Sequence, residues 1–147
     1  MNDFELLIDF NINLFRLIAP VFKEEGYTFN EIAAMWKIMK KGPCRPADLM
    51  QGTYIPASTF TSIFDRLEAR GLVSRENDPN DRRSFLITGT PQLFAAFQGI
   101  IAKCNEKLGE KFSELPAETI RNFNDGLSKV NSLITTKPVQ KDAAYER

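Results

Sequence analysis

The chain has 147 residues, 43% of them hydrophobic, which suits one packed domain or two small units sharing a core and speaks against global disorder. It has no histidine and only two widely spaced cysteines, Cys44 and Cys104, so a zinc site, a disulfide framework and Ser-His or Cys-His catalysis are all excluded as expectations. Nineteen basic and nineteen acidic side chains cancel, so whole-chain charge announces no nucleic-acid partner.

Residues 4–22, FELLIDFNINLFRLIAPVF, carry twelve large apolar side chains in 19 positions. Phe4, Leu7, Phe10, Leu14, Leu17 and Val21 form one stripe at helical spacing, and Ile8, Ile12, Phe15 and Phe22 lie off it. A face this wide implies a helix central to the core or shared with another chain. Pro20 is expected to end or kink it. No apolar run approaches the roughly 20 residues of a membrane span. The start MNDFELLIDF lacks the basic residues and cleavage site of a signal peptide, so no membrane and a cytoplasmic location are expected.

TFNE at Thr28–Glu31 is a capping box opening a second helix. Ile32, Met35, Trp36 and Met39 are expected to line its inner side, and KKGP stops it. A short helix can start at Pro46, with Leu49 and Met50 inward; GTYIP reads as a turn. The next helix runs from about Pro56 to Arg70, with Phe60, Ile63, Phe64 and Leu67 inward and Gly71 as its C-terminal cap. LVSRE and SFLIT, on either side of DPND, form a hairpin. Thr90-Pro91 opens a long helix on which Leu93, Phe97, Ile100, Cys104, Leu108 and Phe112 recur, and a last helix carries Ile120, Phe123, Leu127, Val130 and Ile134.

Cations are unevenly placed. Six of nine arginines (45, 66, 70, 75, 82 and 83) lie between 45 and 83, and no lysine occurs between Lys41 and Lys103. Arginine is the cation suited to phosphate and base-edge recognition, but six carboxylates in the same stretch offer local partners, and composition leaves both uses open. On a helical wheel with Phe60, Ile63, Phe64 and Leu67 inward, Ser58, Ser62 and Asp65 point outward with Ala57 and Thr61 to one side. Those groups are smaller than the arginine or amide side chains of strong base readout.

A short helix, a turn, a second helix and a hairpin follow the order of a winged helix-turn-helix. Over about Phe29 to Thr90, and above all in DRLEARGLVSRENDPNDRRSFLIT, the sequence resembles the MarR family of transcriptional regulators. The resemblance implies a mainly α fold with a small β-hairpin wing. Residues 28–90 would be the DNA-binding lobe, 1–27 and 91–136 the helical dimerisation region, and 137–147 a disordered tail. It implies a homodimeric regulator, a repressor released by a small aromatic or lipophilic effector, with double-stranded DNA as partner and no cofactor. Asp81 and Arg83 match the family's Asp-x-Arg wing, where the aspartate braces the arginine in the minor groove; Arg75 matches a basic position near phosphates. Ala57, Ser58, Thr59, Thr61, Ser62 and Arg66 fall on the recognition helix. Two residues apart in an extended strand, Asp81 and Arg83 would leave one face, with Arg82 pointing the other way to phosphate or a carboxylate.

Phe4, Leu7, Phe10, Leu14, Leu127 and Val130 are the expected dimer contacts. Tyr27, Met35 and Trp36 could line an effector pocket or belong to the core. The chain departs from the family at Ser62, where many members carry arginine, at Pro56, where many carry a polar cap, and at Gly89-Thr90-Pro91-Gln92-Leu93, which replaces Leu-Thr-x-x-Gly. Two other functions stay open. A degenerate winged helix could bind protein alone. Cys44, beside Arg45 in GPCRP, could have a lowered pKa and act as a redox sensor, whereas Cys104 falls on an apolar stripe.

Overall fold

Asn2 opens the first helix: its side chain accepts from the Glu5 amide at 3.0 Å, and the Glu5 carboxylate accepts from the Asn2 amide at 3.1 Å. This reciprocal box starts α1 (Asp3–Glu25) in a computed structural model that describes residues 2–51 and 55–135. The tail 137–147 and part of the GTYIP turn lie outside the described residues.

Pro20 does not end α1. Proline removes the amide that would bond the Arg16 carbonyl, but both residues are exposed and water can take the donor's place. The next two residues, Val21 and Phe22, are buried and hold the helix on course. The stop comes at Gly26, whose φ of 77° lets its amide reach the Lys23 carbonyl and the Tyr27 amide reach Phe22.

Thr28 and Glu31 make the expected reciprocal cap on α2 (Phe29–Lys41). The buried face is Ile32, Ala34, Met35 and Ile38. Trp36 does not belong to it: it is 46% exposed, stacked on Phe97 with ring centroids 5.6 Å apart, and Lys40 lies over its other side. Helix α3 (Pro46–Met50) is one short turn with Leu49 fully buried. Lys41 donates to the Asp48 carbonyl, and Lys37 to those of Leu49 and Gln51, so two cations from α2 serve carbonyls at the C-terminal end of α3. Burial, followed by repulsion from Lys41, lowers the Lys37 pKa.

Helix α4 (Ala57–Ala69) buries Phe60, Ile63, Phe64 and Leu67 as its apolar spacing requires. It ends in a Schellman turn: Gly71, at φ 73°, donates to Glu68 and Leu72 donates to Leu67. Strands β1 (Val73–Asp78) and β2 (Asp81–Gly89) pair antiparallel, and Cys44 adds an isolated bridge to Ile87. Helix α5 (Pro91–Phe112) starts with Thr90, whose hydroxyl donates to the Gly71 carbonyl at 2.6 Å and ties it back to the end of α4. Helix α6 (Ala117–Ile134) follows and buries no residue. The core joins α2, α4, β2 and α5 through Met35, Ile38, Ile63, Leu67, Ile87, Leu93 and Ile100. No described helix is long and apolar enough to cross a membrane.

Candidate nucleic-acid interface

The inward face of α4 fixes what its outward face presents. With Phe60, Ile63, Phe64 and Leu67 buried, Ser58 and Ser62 are exposed on the opposite side, and Ala57, Thr59 and Thr61 are exposed on its flanks. The Thr61 hydroxyl donates back to the Ala57 carbonyl at 3.1 Å, so its proton is used within the helix. Arg66, on the same helix, is held by Glu31 at 2.6 Å and donates to the Ser62 hydroxyl at 3.1 Å. Glu31 thus caps α2 and also joins it to α4, which keeps the two helices in register.

The arginines between 45 and 83 divide into two groups. Arg45 bonds Asp78, Arg66 bonds Glu31, and Arg70 bonds the carbonyls of Glu25 and Gly26. Arg75 bonds both Asp65 and Glu68 on α4, with its guanidinium 5.0 Å from the ring centroids of Phe64 and Phe85. Within the lobe two carboxylates offset its charge and two rings fix its plane. Arg82 and Arg83 form the other group. Their guanidinium groups have no partner among the described residues, and both side chains are exposed at the tip of the wing.

The wing tip departs from simple strand alternation. Asn77 faces Phe85, but Asp78 faces Asp81, so Arg82, Arg83 and Ser84 bulge out with no residue opposite them in the register of β1. Asp81 consequently does not hold the Arg83 guanidinium. Its Oδ1 accepts from the Arg83 backbone amide at 2.9 Å. The carboxylate shapes the main chain that carries the arginine and leaves the cationic end unbound.

Asp78 anchors this tip from beneath. It is buried, and its carboxylate accepts from the Asn80 amide at 2.9 Å, Arg45 Nε at 2.9 Å and the Ser84 hydroxyl at 3.1 Å. The Asn80 amide chiefly, with Arg45 and Ser84, holds the carboxyl below its ordinary pKa against the opposing cost of burial. Neither Arg45 nor Asp78 stands out in the sequence as a pair, since 33 residues separate them. Only the D-P-N turn hints at the Asp78-to-Asn80 bond.

A depressed carboxyl pKa contributes stability above the unfolded value of about 4, and that contribution is lost as pH falls through the lower folded value. Asp78→Asn is therefore expected to lower the melting temperature at neutral pH, with the gap to the native protein narrowing below about pH 4. Thermal melts from pH 7 to pH 3 check this; a gap that stays constant would remove the carboxylate from the account.

Neither cysteine has the setting of a sensor. Cys44 and Cys104 are buried, and burial, the largest influence on each, pushes both thiols up in pKa and away from the reactive thiolate. Of the candidate effector residues, Met35 is fully buried and Tyr27 nearly so beneath Arg70, while Trp36 is exposed against Phe97. An open groove runs along α1, lined by Asn11, Ile12, Phe15, Arg16, Ala19, Pro20 and Lys23.

A helix-turn-helix that shows a small polar face on its second helix and is followed by a projecting hairpin with two free arginines defines a winged-helix DNA-binding protein. Residues 28–85 match the model of the MarR family. A Bacillus subtilis relative, described as the uncharacterized HTH-type transcriptional regulator YsmB, is 28% identical over 123 residues, 78% of this chain and 84% of its own length. The structure of a MarR family protein from Bacillus stearothermophilus shares the fold with a TM-score of 0.80 at 22% identity, over 92% of this chain and 99% of that one. BpsR from Bordetella bronchiseptica, whose structure addresses regulation of its DNA binding by 6-hydroxynicotinic acid, has a TM-score of 0.68 at 22% identity, over 88% of this chain and 93% of its own. The chain is similar to transcriptional regulators of the MarR family, over residues 28–85 by the family model and over most of its length by YsmB.

Proposed function

We propose that the protein is a homodimeric repressor that binds a pseudo-palindromic operator and is released by a small aromatic or lipophilic effector in the cytoplasm. Residues 28–90 form the DNA-binding lobe, and 1–27 with 91–136 form the dimerisation region. The exposed face of α4, from Ala57 to Ser62, enters the major groove, while the wing carries Arg83 into the adjoining minor groove and Arg82 to phosphate. The observation that carries this reading is the division of the arginines: internal partners occupy four, and the two left free sit together on the wing tip. A dimer is supported by the exposed Phe4, Leu7, Leu127 and Val130, and an effector by the ligand-regulated relative BpsR.

The test starts from a random duplex pool. Sequences retained by the protein are expected to converge on two inverted half-sites about one helical turn, roughly 10 base pairs, apart. Their affinity should fall with rising salt at a log–log slope of roughly −0.9 per neutralised phosphate. A pool that fails to converge, or an affinity indifferent to salt, would reverse the proposal in favour of a winged helix that binds protein alone.

A further inference from the structure

The end of α1 is held from two directions by residues far away in sequence. From α4, the Arg70 guanidinium donates to the Gly26 carbonyl at 2.9 Å and the Glu25 carbonyl at 3.2 Å, and its carbon lies 3.8 Å from the centroid of the Tyr27 ring. From α5, Lys103 pairs with the Glu25 carboxylate. The chemistry suits the place. A helix C-terminus presents unpaired carbonyls and a partial negative charge, and a planar cation can satisfy two carbonyls while stacking on a ring. Helix α4 packs on α2 and β1, and Arg70, just past its end, carries that end across to α1. To swing α4 relative to α1, the chain must break two charge-assisted hydrogen bonds and slide the guanidinium off Tyr27.

We infer that Arg70, seated on Tyr27 and the last carbonyls of α1, is a specificity-determining residue that sets the operator half-site spacing the protein accepts. This rests on the dimeric DNA-binding reading above. If α1 belongs to the dimer and α4 enters the groove, the angle between them fixes how far apart the two recognition helices stand. Each base pair added between half-sites moves one of them by roughly 3.4 Å and turns it by roughly 35°. A clamped α4 rejects that displacement, and an unclamped one follows it. Arg70 contacts no base in this role; it acts as a positioning residue through α4.

The experiment uses the full-length protein and the duplex it selects from a random pool, with one or two base pairs inserted or deleted between the half-sites. Affinity is read by anisotropy and fold integrity by thermal melting. The native protein is expected to lose about tenfold, 1.4 kcal/mol, or more for a single inserted base pair. Arg70→Ala is expected to bind the parent duplex more weakly and to flatten the profile, so that the same insertion costs it about threefold or less, roughly 0.7 kcal/mol. Arg70→Lys, which keeps the charge but lacks the fork, should fall between them. Tyr27→Leu, which keeps an apolar group in the core and removes the ring face, should flatten the profile as well and serves if Arg70→Ala does not fold. A purely structural role would lower affinity at every spacing in parallel, and variants that keep the native profile in this way overturn the inference. A native protein that binds DNA without spacing preference also overturns it and leaves DNA binding intact. A native protein that selects no duplex removes the underlying reading and the inference together.

Discussion

Leu7→Asp combined with Leu127→Asp is expected to abolish the dimer. In the single chain Phe4 is 71% exposed, Leu7 59%, Leu127 49% and Val130 47%, and α6 has no buried residue, so a face broad enough for a core helix stands uncovered. Covering one large aliphatic side chain contributes about 1.5–3 kcal/mol. An aspartate in its place removes that contribution and adds the cost of desolvating a carboxylate or protonating it. Two such changes per chain make four in a dimer, a loss comparable to the margin of about 5–15 kcal/mol by which most domains are stable. Leu14, the other expected contact in this stretch, is half-buried within its own chain and would confound folding with assembly, so Leu7 is the cleaner probe. Light scattering should give twice 16.7 kDa for the native protein at micromolar concentration, and the variant should be monomeric, aggregated or unfolded. A native protein that scatters as a well-folded monomer would remove the basis for the dimer.

The second large effect is expected at Arg83. Arg83→Ala should weaken operator binding by on the order of 1–3 kcal/mol, most where the half-sites are flanked by A·T pairs. A narrow A·T minor groove concentrates negative potential, and a guanidinium with no internal partner has no salt bridge to break before entering it. The contacts of Asp81 refine the companion variant. Because its Oδ1 accepts from the Arg83 amide, Asp81→Asn keeps an acceptor and should have little effect, whereas Asp81→Ala should loosen the bulge and lose more. Titrating A·T-flanked and G·C-flanked duplexes at two salt concentrations separates the contributions. Equal binding of both by Arg83→Ala and the native protein would reduce the wing to a turn.

Local chemistry was legible in the sequence where it acts within a few residues. Thr28 and Glu31 satisfy each other's backbone three positions apart, Gly71 supplies the left-handed turn after α4, and the spacing of Phe60, Ile63, Phe64 and Leu67 names the inward face; all three appear as read. Asn2-x-x-Glu5 carries the same capping signature as Thr28 and was open to the same reading, two residues before the apolar run begins. What could not be read depends on partners distant in sequence. Trp36 fits the α2 stripe as well as Ile38 does until Phe97 and Lys40 supply a surface platform for it. The pairing of Arg75 with Asp65 and Glu68 likewise depends on α4 coming to lie against β1. The bulge at Arg82–Ser84 breaks the two-residue alternation from which the Asp81–Arg83 contact was inferred, and it is fastened by Arg45 from another element. Of the candidate site, the hairpin and the exposed face of α4 could be located in advance, and the clamps that orient them could not.

Internal pairing of Arg45, Arg66 and Arg75 also bears on how fast the regulator finds its operator. Residues 28–90 hold nine basic and seven acidic side chains, so beyond a Debye length of about 8 Å the lobe presents only a small net field to DNA. Non-specific affinity comes chiefly from uncompensated cations, and with few of them residence on random sequence is brief and one-dimensional sliding is short. Such a protein searches a chromosome mainly by dissociating and colliding again, so its capture rate responds weakly to ionic strength until the wing tip is within reach of the backbone.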